Sequence, residues 1–341
     1  MAVTIKDVAK RANVSPATVS LVIHNNKRIS PETRARVLRA IKELNYHPSR
    51  SARGLVSRQT GNIGFILRDD HFTKSEPFYT KVFLGTEFQA REDEYYILLT
   101  TVHSDFRESD PLPRFVLERN VEGIILAGKI PGSLITGLET YKLPMVFVDY
   151  VPPEGNYPMV LIDNISGGRE ATRHLIDLGH RRIAFIGGDF EHPSIRERFQ
   201  GYRMALEDAG IPIDPALIVT DEPNTDRACG YQAAEKLFRQ TDAVSAVFAC
   251  NDAMAIGLLR YCRTHGISVP DQLSLVGFDD VESDLLVDPP LSTMRVPKEE
   301  LGIQAMRLMV EMLKSQTIKP KKVLVPVELV VRGSSQPVTV G

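Results

Sequence analysis

Residues 4–23 read TIKDVAKRANVSPATVSLVI, and two short amphipathic helices with a tight link account for nearly every position. Ile5, Val8, Ala9 and Ala12 recur at three- and four-residue spacing, one apolar stripe of a helix whose start Thr4 can cap. Asn13 and Val14 make the link. Ser15-Pro16 then places an N-cap ahead of a proline at the first helical position, where a missing N–H costs nothing. The second helix runs to about His24 and turns Val19, Val22 and Ile23 inward. After the loop HNNKRIS, Ser30-Pro31 repeats the same start, and Glu32 sits in the first turn, where the helix dipole favours an anion. Val37, Leu38, Ile41 and Leu44 stripe a third helix over about 31–45. Two short helices closed by a third form a helix-turn-helix, which lays its second helix in the DNA major groove. A generic three-helix bundle fits the same lengths.

Charge separates these readings. The whole chain carries a formal net charge of −2, yet residues 1–60 hold 12 Lys and Arg against 3 Asp and Glu, a balance of +9. A basic head on an acidic body implies that only the head meets a polyanion. Pro16, Ala17, Thr18, Ser20 and Leu21 point outward on the second helix. Thr18 and Ser20 suit phosphate contact, as does Ser15 with the helix N-terminus. Ala17 and Leu21 can lie against thymine methyls. Thr4, His24 and Arg28 complete the candidate contacts in this region.

The next segment, YHPSRSARGLVSRQTGN, begins with a helix stop at Pro48. Ser49 can cap a short helix running to about Val56. Its apolar pair Leu55 and Val56 has no core to join and is surrounded by Arg50, Arg53 and Arg58. A basic helix with an apolar wedge suits minor-groove insertion. A disordered linker is the alternative, and both hold if the helix forms only on DNA.

From Asn62 onward, apolar runs alternate with amphipathic stretches. Expected strands are 63–67, 95–100, 123–127, 144–149, 158–163, 182–188, 217–220, 246–250 and 273–278. Helical patterns such as Phe199, Tyr202, Leu206 and Ala209 lie between them. Apolar strands separated by helices make a parallel, doubly wound α/β sheet, and this many strands imply two lobes. Ligands in such sheets sit at the C-terminal ends of strands. Polar residues fall there: Asp149, Asp163-Asn164, Asn251-Asp252 and Asp279-Asp280, with Arg196 and Arg198 entering the helix after 182–188. Such acceptors with an Arg fork can bind hydroxyls, amides or carboxylates, although any single carboxylate also serves as a helix cap.

Composition excludes several classes. At 341 residues, 43% hydrophobic and 25% charged, the chain is an ordinary globular one of two or three domains. No apolar run is long enough to span a bilayer, and MAVTIKDVAK has no secretion-signal pattern. Cys229, Cys250 and Cys262 form no CxxC pair, so neither a disulfide framework nor a zinc site is expected, and the setting read from them is a reducing cytoplasm. The eight histidines make no metal pair. GxxxxGK[ST], HExxH and GxSxG are absent, so no cofactor, metal or enzymatic activity is expected.

With these residues in view, the sequence resembles the lactose/galactose-repressor (LacI/GalR) family of bacterial transcription regulators. The resemblance spans residues 4 to about 335. It rests on the head and on DNISGGREATRHLIDLGHRRIAFIGG, RERFQGYRMALEDAG, CNDAMAIGLL, VGFDD, PPLSTMRVP and VELVVRGSS. It implies a helix-turn-helix domain over 1–47, a hinge helix over 48–60 and an effector-binding domain over 61–335 like periplasmic sugar-binding proteins. Crossovers near Asp163, Leu291-Ser292 and Pro320 would give an N-lobe of 61–162 and 292–320. The C-lobe would then be 163–291 and 321–335, with a tail at 336–341.

The resemblance further implies a homodimer on a pseudo-palindromic operator, with Leu55 wedging its centre. Pro16, Ala17 and Leu21 take the base-reading positions, although many members carry arginine where Leu21 stands. Phe78, Tyr79, Asp149, Arg198, Asn251 and Asp279 match effector-pocket positions. Thr225 falls where many members place a stacking aromatic, and the chain has no Trp. A sugar comes first among effectors, then a nucleobase or other metabolite, then a protein corepressor. A solute-binding module with a vestigial head is the remaining alternative. Without a C-terminal leucine heptad, no coiled-coil tetramer is expected.

Overall fold

The computed structural model describes residues 3–23, 28–46, 60–71, 78–241, 243–315 and 320–338. It divides into two compact units, Met1–Gly61 and Asn62–Gly341.

The first unit holds α1 (Ile5–Ala12), α2 (Pro16–Ile23) and α3 (Pro31–Glu43). The Asp7 carboxylate accepts the Thr4 N–H and hydroxyl at 2.8 and 2.7 Å. Asn13 closes α1 with φ 51°, a left-handed C-cap that asparagine tolerates. Ser15 Oγ accepts the Thr18 N–H, and Ser30 Oγ accepts that of Thr33, so both cap-plus-proline starts form. Val8, Ala9, Ala12, Val19, Val22, Val37, Ala40 and Tyr46 make the core. Leu38 departs from the expected stripe and is 52% exposed. One residue past Val37, it is turned about 100° away from the seam. The hinge over 48–60 lies outside the described residues except for Thr60.

The second unit contains two six-stranded sheets. The first has the order β11-β5-β4-β3-β1-β2 and the second β12-β10-β9-β8-β6-β7. The strands are β1 Asn62–Arg68, β2 Tyr96–Val102, β3 Gly123–Ala127, β4 Met145–Val148, β5 Met159–Ile162 and β6 Ile183–Gly188. Then come β7 Ile218–Glu222, β8 Ala246–Ala249, β9 Ser274–Asp279, β10 Ser292–Arg295, β11 Lys322–Val325 and β12 Glu328–Val330. All pairings are parallel except β10 with β12. Helices α4 (Phe78–Glu92), α5 (Arg114–Leu117) and α6 (Gly132–Glu139) belong to the first lobe. Helices α7 (Asn164–Asp177), α8 (Pro193–Asp208), α9 (Arg227–Gln240) and α10 (Asp252–His265) belong to the second, and α11 (Lys298–Ser315) returns to the first. There α11 packs on α4 at backbone contact: a Cβ on Gly302 would stand 1.9 Å from the Val82 carbonyl oxygen.

The nine expected strands are present, and two expected lobe boundaries move. β10 pairs with β9, so the chain returns to the first lobe after Arg295 rather than at Leu291-Ser292. β11 pairs with β5, so the last crossover follows Val325 rather than Pro320. The sequence STMR of β10 lacks an apolar run because its buried hydroxyls bond to side chains: Thr293 Oγ1 donates to Asp252 Oδ1 at 2.6 Å. The expected tail also changes. The Gln336 carbonyl lies 3.1 Å from His180 Nε2, and the Val338 N–H donates to the Leu178 carbonyl, so residues 336–338 run against the second lobe.

Candidate functional site

In the first unit, the outward face of α2 carries Pro16, Ala17 and Leu21 exposed, with Thr18 and Ser20 half-buried. Ser15 and Thr18 pair their hydroxyls at 3.0 Å beside the N-terminus of α2. Thr4 is exposed at the start of α1, and Arg28 is exposed before α3. His24, Arg50, Arg53 and Leu55 lie outside the described residues.

In the second unit, a cavity of about 690 Å³ opens between the C-terminal ends of the two sheets. Its size fits a small-molecule ligand. All seven candidate effector residues line it: Phe78, Tyr79 and Asp149 from the first lobe, and Arg198, Thr225, Asn251 and Asp279 from the second. Arg196 does not. It is exposed and donates to the Phe190 and Glu191 carbonyls. Asp163 is the N-cap of α7, and the buried Asp252 takes the Thr293 hydroxyl and the Val281 N–H, so neither lines the cavity.

Asp149 follows β4 at φ 54° and is buried. The Tyr79 hydroxyl donates to its Oδ2 and the Ser194 hydroxyl to its Oδ1, each at 2.9 Å. The second bond crosses the cleft. Burial and the adjacent Asp149 push the Tyr79 phenol well above its usual range, so it stays a donor at neutral pH.

Arg198 is 4% exposed. Its Nε donates to Asn164 Oδ1 at 2.9 Å and its Nη1 to the Cys250 carbonyl at 2.7 Å, while its guanidinium covers the Phe278 ring at 3.7 Å. Nη2 lies 3.3 Å from Asp279 Oδ1, an ion-pair distance without hydrogen-bond geometry. That buried oxygen has no hydrogen-bond partner among the described residues. Burial pushes the Asp279 carboxyl up to about 7, against the pull of Arg198. Asn251 is spent locally: it caps α10 through Met254 and donates to the Thr225 carbonyl.

Arg68, Asp70, Asp189, His192 and Ser194 also line the cavity and were not singled out from the sequence. His192-Pro193 repeats the cap-plus-proline signal of Ser15-Pro16 and could have been found. Desolvation holds the His192 imidazole below its usual value, hence neutral. Arg68 is paired with Asp70, and Lys129 Nζ reaches Asp189 across the cleft at 3.4 Å. Among the described residues no His, Cys, Asp and Glu group could hold a metal ion.

A helix-turn-helix unit joined to two parallel-sheet lobes with a polar cavity between them is the build of a DNA-binding transcription regulator. Residues 4–49 match the model of bacterial regulatory proteins of the LacI family, and residues 172–335 match a periplasmic binding protein-like domain. Catabolite control protein A of Priestia megaterium is 32% identical over 98% of this chain and all of its own. A solved complex of the transcriptional regulator CelR with cellobiose is 33% identical, with a TM-score of 0.74 over 98% of this chain and all of that one. The lac repressor dimer bound to operator and the anti-inducer ONPF is 25% identical, with a TM-score of 0.79 over the same shares. The chain belongs to the LacI family of bacterial regulatory proteins. It is a DNA-binding transcription repressor by family and not an enzyme.

Proposed function

We propose that the protein binds a pseudo-palindromic operator in the cytoplasm as a homodimer, and that a small polyhydroxylated ligand, a sugar or sugar derivative, sets that affinity from the cavity. The observation that carries this reading is Asp279 Oδ1, a buried carboxylate oxygen without a hydrogen-bond partner among the described residues, in a cavity lined by both lobes. A ligand hydroxyl would satisfy it, and Arg198 supplies donors beside it. The likeness to a cellobiose complex and to an operator-bound dimer supports the same assignment. On the DNA side, Ser15, Thr18 and Ser20 contact phosphates, Pro16, Ala17 and Leu21 face the bases, and Thr4, His24, Arg28, Arg50, Arg53 and Leu55 extend the interface. No helix among the described residues is long and apolar enough to cross a membrane.

Ligand and operator then change each other's affinity by one shared factor. The test is a thermal-shift screen of sugars, sugar phosphates, nucleobases and amino acids, followed by operator titration with any hit. A ligand at a hundred times its dissociation constant adds about 2.7 kcal/mol to the folded state, a shift of several degrees. A sugar that shifts the midpoint and alters operator affinity supports the proposal. A nucleobase or amino acid doing so would replace the ligand class, and a silent panel would favour a protein corepressor.

A further inference from the structure

The end of β9 is bonded by three basic side chains, Arg295, Lys298 and Arg332. Asp279 and Asp280 take φ values of 121° and 56°, conformations that aspartate adopts at a cost. Asp280 turns its carboxylate away from the cavity, to Arg295 Nε at 2.7 Å and to Arg332 Nη2. Arg295 is the last residue before one crossover, and Arg332 lies shortly after another. The two carbonyl oxygens, of Asp279 and Asp280, both accept from Lys298 Nζ, the second at 3.2 Å. Lys298 opens α11 and so belongs to the first lobe, whereas β9 belongs to the second.

Lys298 is 4% exposed. A buried ammonium is costly unless oxygen acceptors replace its water, and here backbone carbonyls of the opposite lobe do so. Desolvation lowers its pKa, Asp279, Asp252 and Asp280 oppose that fall, and Lys81 adds to it. The Phe78 ring, a cavity wall, stands 5.7 Å from Nζ. Since α11 is packed on α4 at backbone distance, Lys298 is anchored to the first lobe.

We propose that Lys298 is a positioning residue that pins the Asp279–Asp280 backbone to the first lobe, so that the aim of the Asp279 carboxylate and the set of the two lobes are fixed together. The inference rests on reading the cavity as the effector site. A ligand that draws on Asp279 then pulls on the tie between lobes, and a change in lobe angle re-aims Asp279.

The test uses the full chain with Lys298→Met, which keeps the stem and removes the ammonium, and Lys298→Arg, which restores the charge. Lys298→Gln serves if the methionine variant fails to fold. Carbon-13 NMR follows the Asp279 carboxyl, whose charged neighbours are Arg198, Asp252, Lys298 and Asp149. Loss of the cation should move its midpoint upward, and arginine should restore it. Amide exchange at Asp280 and Val281 should quicken about tenfold or more. Spin labels on Glu108→Cys and Arg263→Cys, on opposite lobes, should report a broader distance distribution without any ligand; the native cysteines are buried. Wild-type titration, exchange and distances in the charge-free variant would overturn the proposal. Because these readouts need no ligand, a silent effector screen alongside them overturns the effector reading and not the tie.

Discussion

The two lobes repeat one strand order and place an aspartate at the same point in each. Asp149 follows β4 and Asp279 ends β9, the fourth strand from the β2 and β7 edges respectively, and both have positive φ. Asp149 is satisfied by two hydroxyls, one from each lobe. Asp279 faces an arginine at ion-pair distance, keeps an oxygen without a hydrogen bond among the described residues, and has its carboxyl raised to about 7. Equal topology therefore does not give equal chemistry. The neighbours supplied by the helices decide which carboxylate has both oxygens hydrogen-bonded and which keeps one oxygen unbonded among the described residues.

The largest loss is expected from Arg198→Met. It strands Asp279, Asn164 Oδ1 and the Cys250 carbonyl in the interior, and breaking a buried pair costs about 3–5 kcal/mol. Urea unfolding of the second unit should show that loss, and ligand response should vanish. A near-neutral result would mean that Arg198 does not support the second-lobe site.

Asp279→Asn probes the contrast directly. If a ligand hydroxyl needs the ionised carboxylate, wild-type affinity rises about tenfold from pH 6 to pH 8, as expected for one group titrating near 7. The asparagine variant should bind with a flat profile over that range. A flat wild-type profile would show Asp279 to be a bystander.

Asp252→Asn tests a second raised carboxyl in the same lobe. Asp252 and Asp284 both accept the Val281 N–H, at 3.2 and 2.9 Å. Burial, then the nearby Asp284, raises Asp252, and burial raises Asp284 to about 6. A folded-state acid of raised pKa keeps a proton that the unfolded chain releases near 3.8, so stability falls as pH rises from there through the folded value. The amide should therefore stabilise the protein at alkaline pH and lose that advantage as the pH falls and Asp252 takes up its proton, read from melting curves across a pH series.

Tyr79→Phe should have the smallest effect. It removes one of two donors to Asp149 and should cost about 1 kcal/mol. A loss above that of Arg198→Met would invert the ranking of the two aspartates.

Much of this was legible because the signals are local. The starts of α2 and α3 follow from serine and proline, and the nine expected strands from apolar runs. The seven cavity residues followed from strand-end polarity and, for Phe78, Tyr79 and Thr225, from the family resemblance. β10, β11 and β12 were missed for different reasons. Ser292 and Thr293 are buried through hydroxyl bonds rather than apolar contact, Lys322–Val325 is an edge strand, and Glu328–Val330 spans three residues. Ser194 and Asp189 gave no sign because their partners, Asp149 and Lys129, lie on the other lobe.

The three crossings between lobes also govern the order in which the chain can be completed during synthesis. β11 closes the edge of one sheet and β12 the edge of the other, and both come from residues 322–330. Helices α1 to α3 can fold as soon as they leave the ribosome, but neither lobe can finish until the final stretch has emerged. Until then β5 and β10 present open edges, the surfaces from which neighbouring chains aggregate. A truncation before Lys322 would leave that exposure permanent while the DNA-binding head stayed intact.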